Sequence, residues 1–259
     1  MEFIEPSLLI ILALVALLAG FIDAVAGGGG MLTVPALLSL GLPPHIALGT
    51  NKLAATFSSS VSTFTYYRQR LLQPKFWIRA FSATLIGAVL GTLFVDWLST
   101  DWLDKVLPLV ILAAALYTLL HKTPSDVNHS TPPPCRTFHK RQYGQGFILG
   151  FYDGMAGPGT GAFWTVSSMA LHRMSILLAS GISRAMTLAS NATSLLTFAF
   201  LGHIDWALGL TMGICLMIGA WIGAHSAIRF GANFIRPIFI SVVTLLAMKL
   251  AYDAWFAPL

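Results

Sequence analysis

A glycine-rich break set in a strongly apolar run occurs twice in this chain. GFIDAVAGGGG at residues 20–30 and GFYDGMAGPGT at residues 150–160 agree at six of eleven positions with a constant offset of 130. Each copy brings a carboxylate, Asp23 or Asp153, close to the break. In lipid both features are costly: freed backbone groups find no water, and an ionised side chain costs roughly 2.5–3.5 kcal/mol on insertion scales. A chain that repeats them reads as an internal duplication built around a paired polar feature.

Composition fixes that environment. Hydrophobic residues are 56% of the 259 and charged residues 10%, against roughly 45–50% and 25% in soluble domains. With a mean hydropathy of +0.76, the chain reads as an all-α, polytopic membrane protein. The first apolar run follows Glu2 and Glu5 without a Lys or Arg, so it lacks a cleavable signal's basic start and is expected to be retained as a helix. Two cysteines, Cys135 and Cys215, and seven scattered histidines offer no CxxC or HExxH spacing. No metal site, cofactor or catalytic residue is expected. The formal charge of +5 does not call for nucleic acid, because the cations fall in loops between apolar runs. The expected partners are a small anionic solute and the lipid bilayer, with a homodimer left open.

Apolar runs cover residues 5–26, 31–41, 45–67, 76–96, 103–121, 144–157, 161–171, 176–200, 206–228 and 234–256. A bilayer crossing takes about 20 helical residues, so 31–41 and 161–171 read as half-helices. Residues 122–143, with Pro132, Pro133, Pro134, Arg136, Lys140 and Arg141, read as a cytoplasmic linker. It divides one integral membrane domain into a first repeat, 1–121, and a second, 144–259. The first arms of the two hairpins read as uneven, since 5–26 can cross alone and 144–157 is too short, which leaves the depth of Asp23 relative to Asp153 open.

Arg68, Arg70, Lys75 and Arg79, the linker cations, and Arg229 with Arg236 mark cytoplasmic loops, while Asp96, Asp101, Asp104 and Asp205 mark external ones. The loop at 68–79 is then cytoplasmic and its counterpart at 201–206 external. Two inverted-topology repeats result, each a broken, re-entrant-like hairpin followed by three transmembrane helices, the arrangement of alternating-access transporters.

Beyond the breaks the offset becomes 132: Gly49-Thr50-Asn51-Lys52 aligns with Gly181-Ile182-Ser183-Arg184, and Ser58-Ser59 with Ser190-Asn191. Lys52 and Arg184 each lie about 10 Å into a helix at 1.5 Å per residue. They must snorkel, pair or face a wet cavity. In one reading they are counter-charges for an anion. Gly28, Gly29, Gly30, Gly159, Thr160 and Gly161 then supply backbone contacts at half-helix N-termini, and Thr33, Thr50, Asn51, Ser183 and Asn191 supply hydrogen bonds. In the other, Asp23 and Asp153 pair with the two cations and pin the hairpins. Both hold together if protonation of a carboxylate gates release of its cation.

Gly87/Gly91, Gly219/Gly223 and Gly209/Gly213 read as helix-packing positions. Trp77, Trp97, Trp102, Trp206 and Trp255 read as an interfacial belt, and His45 and His172 as solvated turn residues.

The segment Gly20 to Gly30, with Thr33-Val34-Pro35-Ala36-Leu37 and Ala47-Leu48-Gly49-Thr50-Asn51-Lys52, resembles the first-repeat signature of the TauE/SafE, or sulfite exporter, family. Gly150 to Gly161 resembles the second. Arg184 stands where that family often has Lys, keeping the charge but changing its geometry. The resemblance implies a non-enzymatic inner-membrane carrier exporting sulfite or an organosulfonate such as sulfoacetate. The competing expectations are an importer of another small anion or metabolite coupled to H⁺ or Na⁺, and a non-transporting scaffold.

Overall fold

Local chemistry sets where the helices stop. The computed structural model describes residues 6–100, 102, 103, 136–231, 234, 237 and 241. Eight helices run through them: α1 (Pro6–Ala26), α2 (Gly30–Ser39), α3 (Pro44–Arg68), α4 (Ile78–Trp97), α5 (Arg136–Met155), α6 (Thr160–His172), α7 (Ile176–Leu201) and α8 (Trp206–Phe230), with a 3₁₀ turn at Pro74–Phe76. Among the described residues all regular structure is helical, as the composition leads one to expect. The breaks after α1 and α5 pass through Gly27 at φ +82° and Gly157 at φ +90°, a left-handed conformation that costs a residue with a side chain roughly 1–2 kcal/mol. α3 opens on Pro44, harmless in a first turn. α8 is capped by Asp205, whose Oδ1 accepts from Leu208 N at 3.0 Å.

The half-helices α2 and α6 have 10 and 13 residues, too few to cross a bilayer at 1.5 Å per residue. Their positions match the sequence expectation within a residue or two. α5 does not. It begins at Arg136, inside the stretch read as linker, and its 20 residues nearly equal the 21 of α1. The first arms of the two hairpins are therefore even. Arg136, Lys140 and Arg141 form the polar first turns of a helix rather than a loop. The expected helices over 103–121 and 234–256, and Glu2, Glu5, Asp101, Asp104, Lys105, Lys122, Cys135, Arg236, Lys249 and Trp255, lie wholly or almost wholly outside the described residues.

Helix pairing crosses between the halves. Gly146, Gly150 and Gly154 of α5 lie against Ala80, Thr84 and Ala88 of α4, so these helices run parallel at close range. α1 and α8 do the same: Leu12 and Ala16 cluster with Leu208, Met212 and Leu216, and Ala24 with Ala220 and Ala224. Gly209 and Gly213 of α8 meet Leu53 and Phe57 of α3, again in parallel. α3 and α7 are antiparallel, since Gly49 lies near His203 while Gly181 lies near Tyr66 and Leu71. Of the glycine pairs read as packing positions, Gly87/Gly91 and Gly219/Gly223 thus let backbones approach, as small residues do between membrane helices, while Gly209/Gly213 make room for the side chains of Leu53 and Phe57.

Buried charge lies within an apolar exterior. Ile10, Leu14, Leu18, Ile86, Leu90, Leu93, Leu196, Leu210, Ile214 and Ile218 are exposed, while Lys52, Arg184 and Asp153 are buried. α4 and α8 are long and apolar enough to span a membrane by length and composition. α3 and α7 have 25 and 26 residues but turn a polar stripe inward. Trp97, Trp102 and Trp206 are exposed at helix ends, whereas Trp77 is buried against Phe76, Phe138 and His172. His172 is buried too, with Nε2 bonded to Gln145 Oε1 at 3.0 Å. His45 Nε2 lies 3.1 Å from Val95 O. Neither histidine is a solvated turn residue, because aromatic or backbone partners close over both.

Candidate functional site

The two breaks meet. Ala162 N donates to Gly27 O at 3.3 Å, and a side chain at Gly27 would run into the backbone of Gly161. Around this junction four helix ends converge: the C-termini of α1 and α5, which favour cations, and the N-termini of α2 and α6, which favour anions.

Each cation serves the carboxylate of the other half. Lys52 Nζ, from α3, lies 2.8 Å from Asp153 Oδ1, donates to the Asp153 carbonyl, and reaches Asn191 Oδ1 at 3.2 Å. Arg184, from α7, donates to the Asp23 carbonyl and lies 3.6 Å from Asp23 Oδ1. The carboxylates are held from their own halves. Ser58 donates to Asp23 Oδ2 at 2.9 Å, and Ser190 donates to Asp153 Oδ2. At the half-helix starts Gly29 N lies 3.4 Å from Asp23 Oδ1, and Thr160 Oγ1 lies 3.1 Å from Asp153 Oδ1. Each half-helix N-terminus thus already holds an anion, supplied by the protein itself.

The pairs differ in finish. Lys52 has three donors and three acceptors, and the side chain of Asp153 is 3% exposed. Arg184 is fully buried, its Nε has no hydrogen-bond partner, and its carboxylate Asp23 is 18% exposed. A cavity of roughly 30 Å³ lies between them, bordered by Asp23, Gly27, Gly30, Asn51, Ala55, Asp153, Gly157, Thr160, Gly161, Thr187 and Asn191. That is room for a water or two. A larger depression of about 1050 Å³ at the α3–α4 connection, lined by Tyr67, Arg68, Arg70, Leu72, Gln73, Pro74 and Phe76, includes none of the paired residues.

Most residues expected at the site are brought together. Asn51 Oδ1 accepts from Thr33 at 2.5 Å, and Ser183 donates to Gly161 O at 2.6 Å while lying 3.4 Å from Arg184 Nη2. Gly28 and Gly159 shape the turns without bordering the cavity. Thr50 is not at the cavity: its hydroxyl accepts from Asp205 N at 2.9 Å, because it faces the α7–α8 connection. Ser58 and Ser190, the carboxylate partners, were given no role from sequence. Their signal is that each lies six residues after the cation of its own helix, Lys52 or Arg184, so that the two serines are 132 apart.

No solved structure matches the chain. Among curated proteins, it is 37% identical over 98% of its length, and 96% of the relative's, to "Probable membrane transporter protein ORF9" of Sinorhizobium sp. It is 34% identical to "Probable membrane transporter protein" of Haemophilus influenzae, covering 96% of this chain and 97% of the other. It is 33% identical to "Probable membrane transporter protein YfcA" of Escherichia coli K12, covering 97% and 92%. The family described as Sulfite exporter TauE/SafE matches residues 12–250, a span holding both breaks and both ion pairs. The chain therefore belongs to the TauE/SafE family and is a membrane transporter.

Proposed function

We propose that this protein is a secondary transporter for a small oxyanion, sulfite or an organosulfonate such as sulfoacetate, working by alternating access and exporting across the inner membrane. Its two units, 1–121 and 144–259 joined through 122–143, act as inverted repeats. Helix direction supports this. α1, α3 and α8 run one way and α4, α5 and α7 the other, so among the described residues each long helix opposes its counterpart in the other half. Charge supports the orientation: among the described residues, every Lys and Arg except Lys52 and Arg184 lies at one end, which the positive-inside rule makes cytoplasmic. The start of α1 is then external.

The observation on which the anion reading rests is Arg184: a fully buried guanidinium with an unpartnered Nε, loosely paired to a carboxylate in a closed site. A substrate oxyanion takes the place of Asp23 against Arg184 and the α2 N-terminus, where the geometry already holds a carboxylate. Asn51, Thr160 and Asn191 border the space it enters. Lys52 is the counterpart on the other side, and Asp23 and Asp153 gate.

Flux into proteoliposomes tests the reading. Arg184→Met with Asp23→Asn, a variant that leaves no unpaired charge, should abolish transport of sulfite and methanesulfonate while the protein elutes as a folded species. Arg184→Lys should retain a fraction, having the charge without the planar fork. Normal flux in the double variant would reduce the pairs to structural clamps.

A further inference from the structure

The two half-paths leading from the ion pairs to the membrane faces are related by the repeat but are chemically unequal. On the cytoplasmic side, α3 presents Ser58, Ser62 and Tyr66 at four-residue steps, and α7 presents Arg184 and Ser180 one turn apart. The helices are antiparallel there, with the Tyr66 ring beside Gly181, so these side chains share one seam. Ser62, Tyr66 and Arg184 are 0% exposed and Ser180 1%. Ser58 is used by Asp23, but the hydroxyls of Ser62, Tyr66 and Ser180 and the Nε of Arg184 have no hydrogen-bond partner. A buried, unmade hydrogen bond costs about 1–3 kcal/mol, and four lie along one seam.

On the external side the offset of 132 places Ser194 opposite Ser62, Phe198 opposite Tyr66, and Leu48 opposite Ser180. Ser194 is again unpartnered. Phe198 and Leu48, however, are packed with Val34, Val95, Leu103 and Ala156 in an apolar plug. The Tyr66 ring is likewise packed with Val25, Met169, Ile176 and Ala179, so the difference between the half-paths is that one carries the unused hydroxyls of Tyr66 and Ser180 where the other carries Phe198 and Leu48.

We propose that the cytoplasmic α3–α7 seam is an oxyanion-binding access subsite. In it Ser62, Tyr66 and Ser180 donate to the anion as it moves to or from Arg184, while the external half-path is a dry gate. The subsite rests on the anion reading of Arg184 and adds to it an approach with a side and a residue set. Hydroxyl donors suit it because they pass an anion along without holding it as tightly as a second cation would.

Two measurements on the full chain test it. In a background with Cys135→Ser and Cys215→Ala, Ser62→Cys and Ser180→Cys should react with a small membrane-impermeant thiosulfonate reagent from the cytoplasmic face, and Leu48→Cys and Phe198→Cys should not react from outside. Methanesulfonate at ten times its Kd should slow the cytoplasmic reactions about tenfold. Equal labelling of the two sides, or no protection, would overturn the subsite. Tyr66→Phe, which copies the mirror position, should raise the transport KM for methanesulfonate about tenfold, the worth of one hydrogen bond to a charged group. It should leave kcat intact and should not lower thermal stability, since the hydroxyl removed has no partner. An unchanged KM would overturn it equally. Loss of flux in the Arg184→Met/Asp23→Asn variant together with equal labelling sinks only the subsite. Normal flux in that variant sinks the anion reading itself.

Discussion

Equivalence by repeat does not make Lys52 and Arg184 equal, because a cation's role depends on how many of its donors the protein has already used. Lys52 is saturated, and removing it leaves Asp153 charged and 3% exposed. Breaking a buried pair from one side costs about 3–5 kcal/mol. Lys52→Met should therefore destabilise severely, and Lys52→Met with Asp153→Asn should recover most of the loss. Arg184→Met should cost less, since Asp23 keeps Ser58 and partial solvent contact. Thermal unfolding followed by tryptophan fluorescence in detergent checks the order. Equal losses for the two single variants would show that the pairs are energetically alike.

Helices here are joined by contact between backbones. A Cβ at Gly219 would lie 1.9 Å from Leu17 O, and neither helix backbone can yield, whereas one at Gly144 meets nothing within 4 Å. Gly219→Ala should lose at least the roughly 1–3 kcal/mol of an overpacked core. Gly144→Ala, on the exposed face of α5, should gain up to about 1 kcal/mol of helix propensity. Unfolding midpoints of the two variants should shift in opposite directions. Such stripes were legible in sequence because GxxxG spacing names the face that packs. The half-helices were legible too, because their glycine boundaries and short apolar lengths are local facts. The start of α5 was not: Arg136, Lys140, Arg141 and Gln142 lower its hydropathy, and hydropathy reports depth in lipid rather than helicity. Nor could sequence say which carboxylate meets which cation. Lys52–Asp153 and Arg184–Asp23 span 101 and 161 residues, and only the crossed packing of α1 with α8 and α4 with α5 sets them. Trp77 and His172 were misplaced at the surface for the same reason, since α5 and the 3₁₀ turn bring Phe138 and Phe76 over them.

At the scale of the whole molecule, each hairpin is tied to the opposite half by an ion pair, so no relative motion of the halves leaves both pairs intact. The looser tie, Arg184 to Asp23, is the one an anion can replace, because its guanidinium keeps an unused Nε and its carboxylate keeps Ser58 and partial solvent contact when the two part. Asp23 and the solute then compete for one cation, and whatever weakens the internal pair strengthens anion binding by the same factor. Asp23→Asn, which removes the competitor, should therefore bind methanesulfonate more tightly than the native chain. A titration of thermal stability in detergent against methanesulfonate concentration decides it: weaker binding in Asp23→Asn would show that the carboxylate supports the anion rather than competing with it.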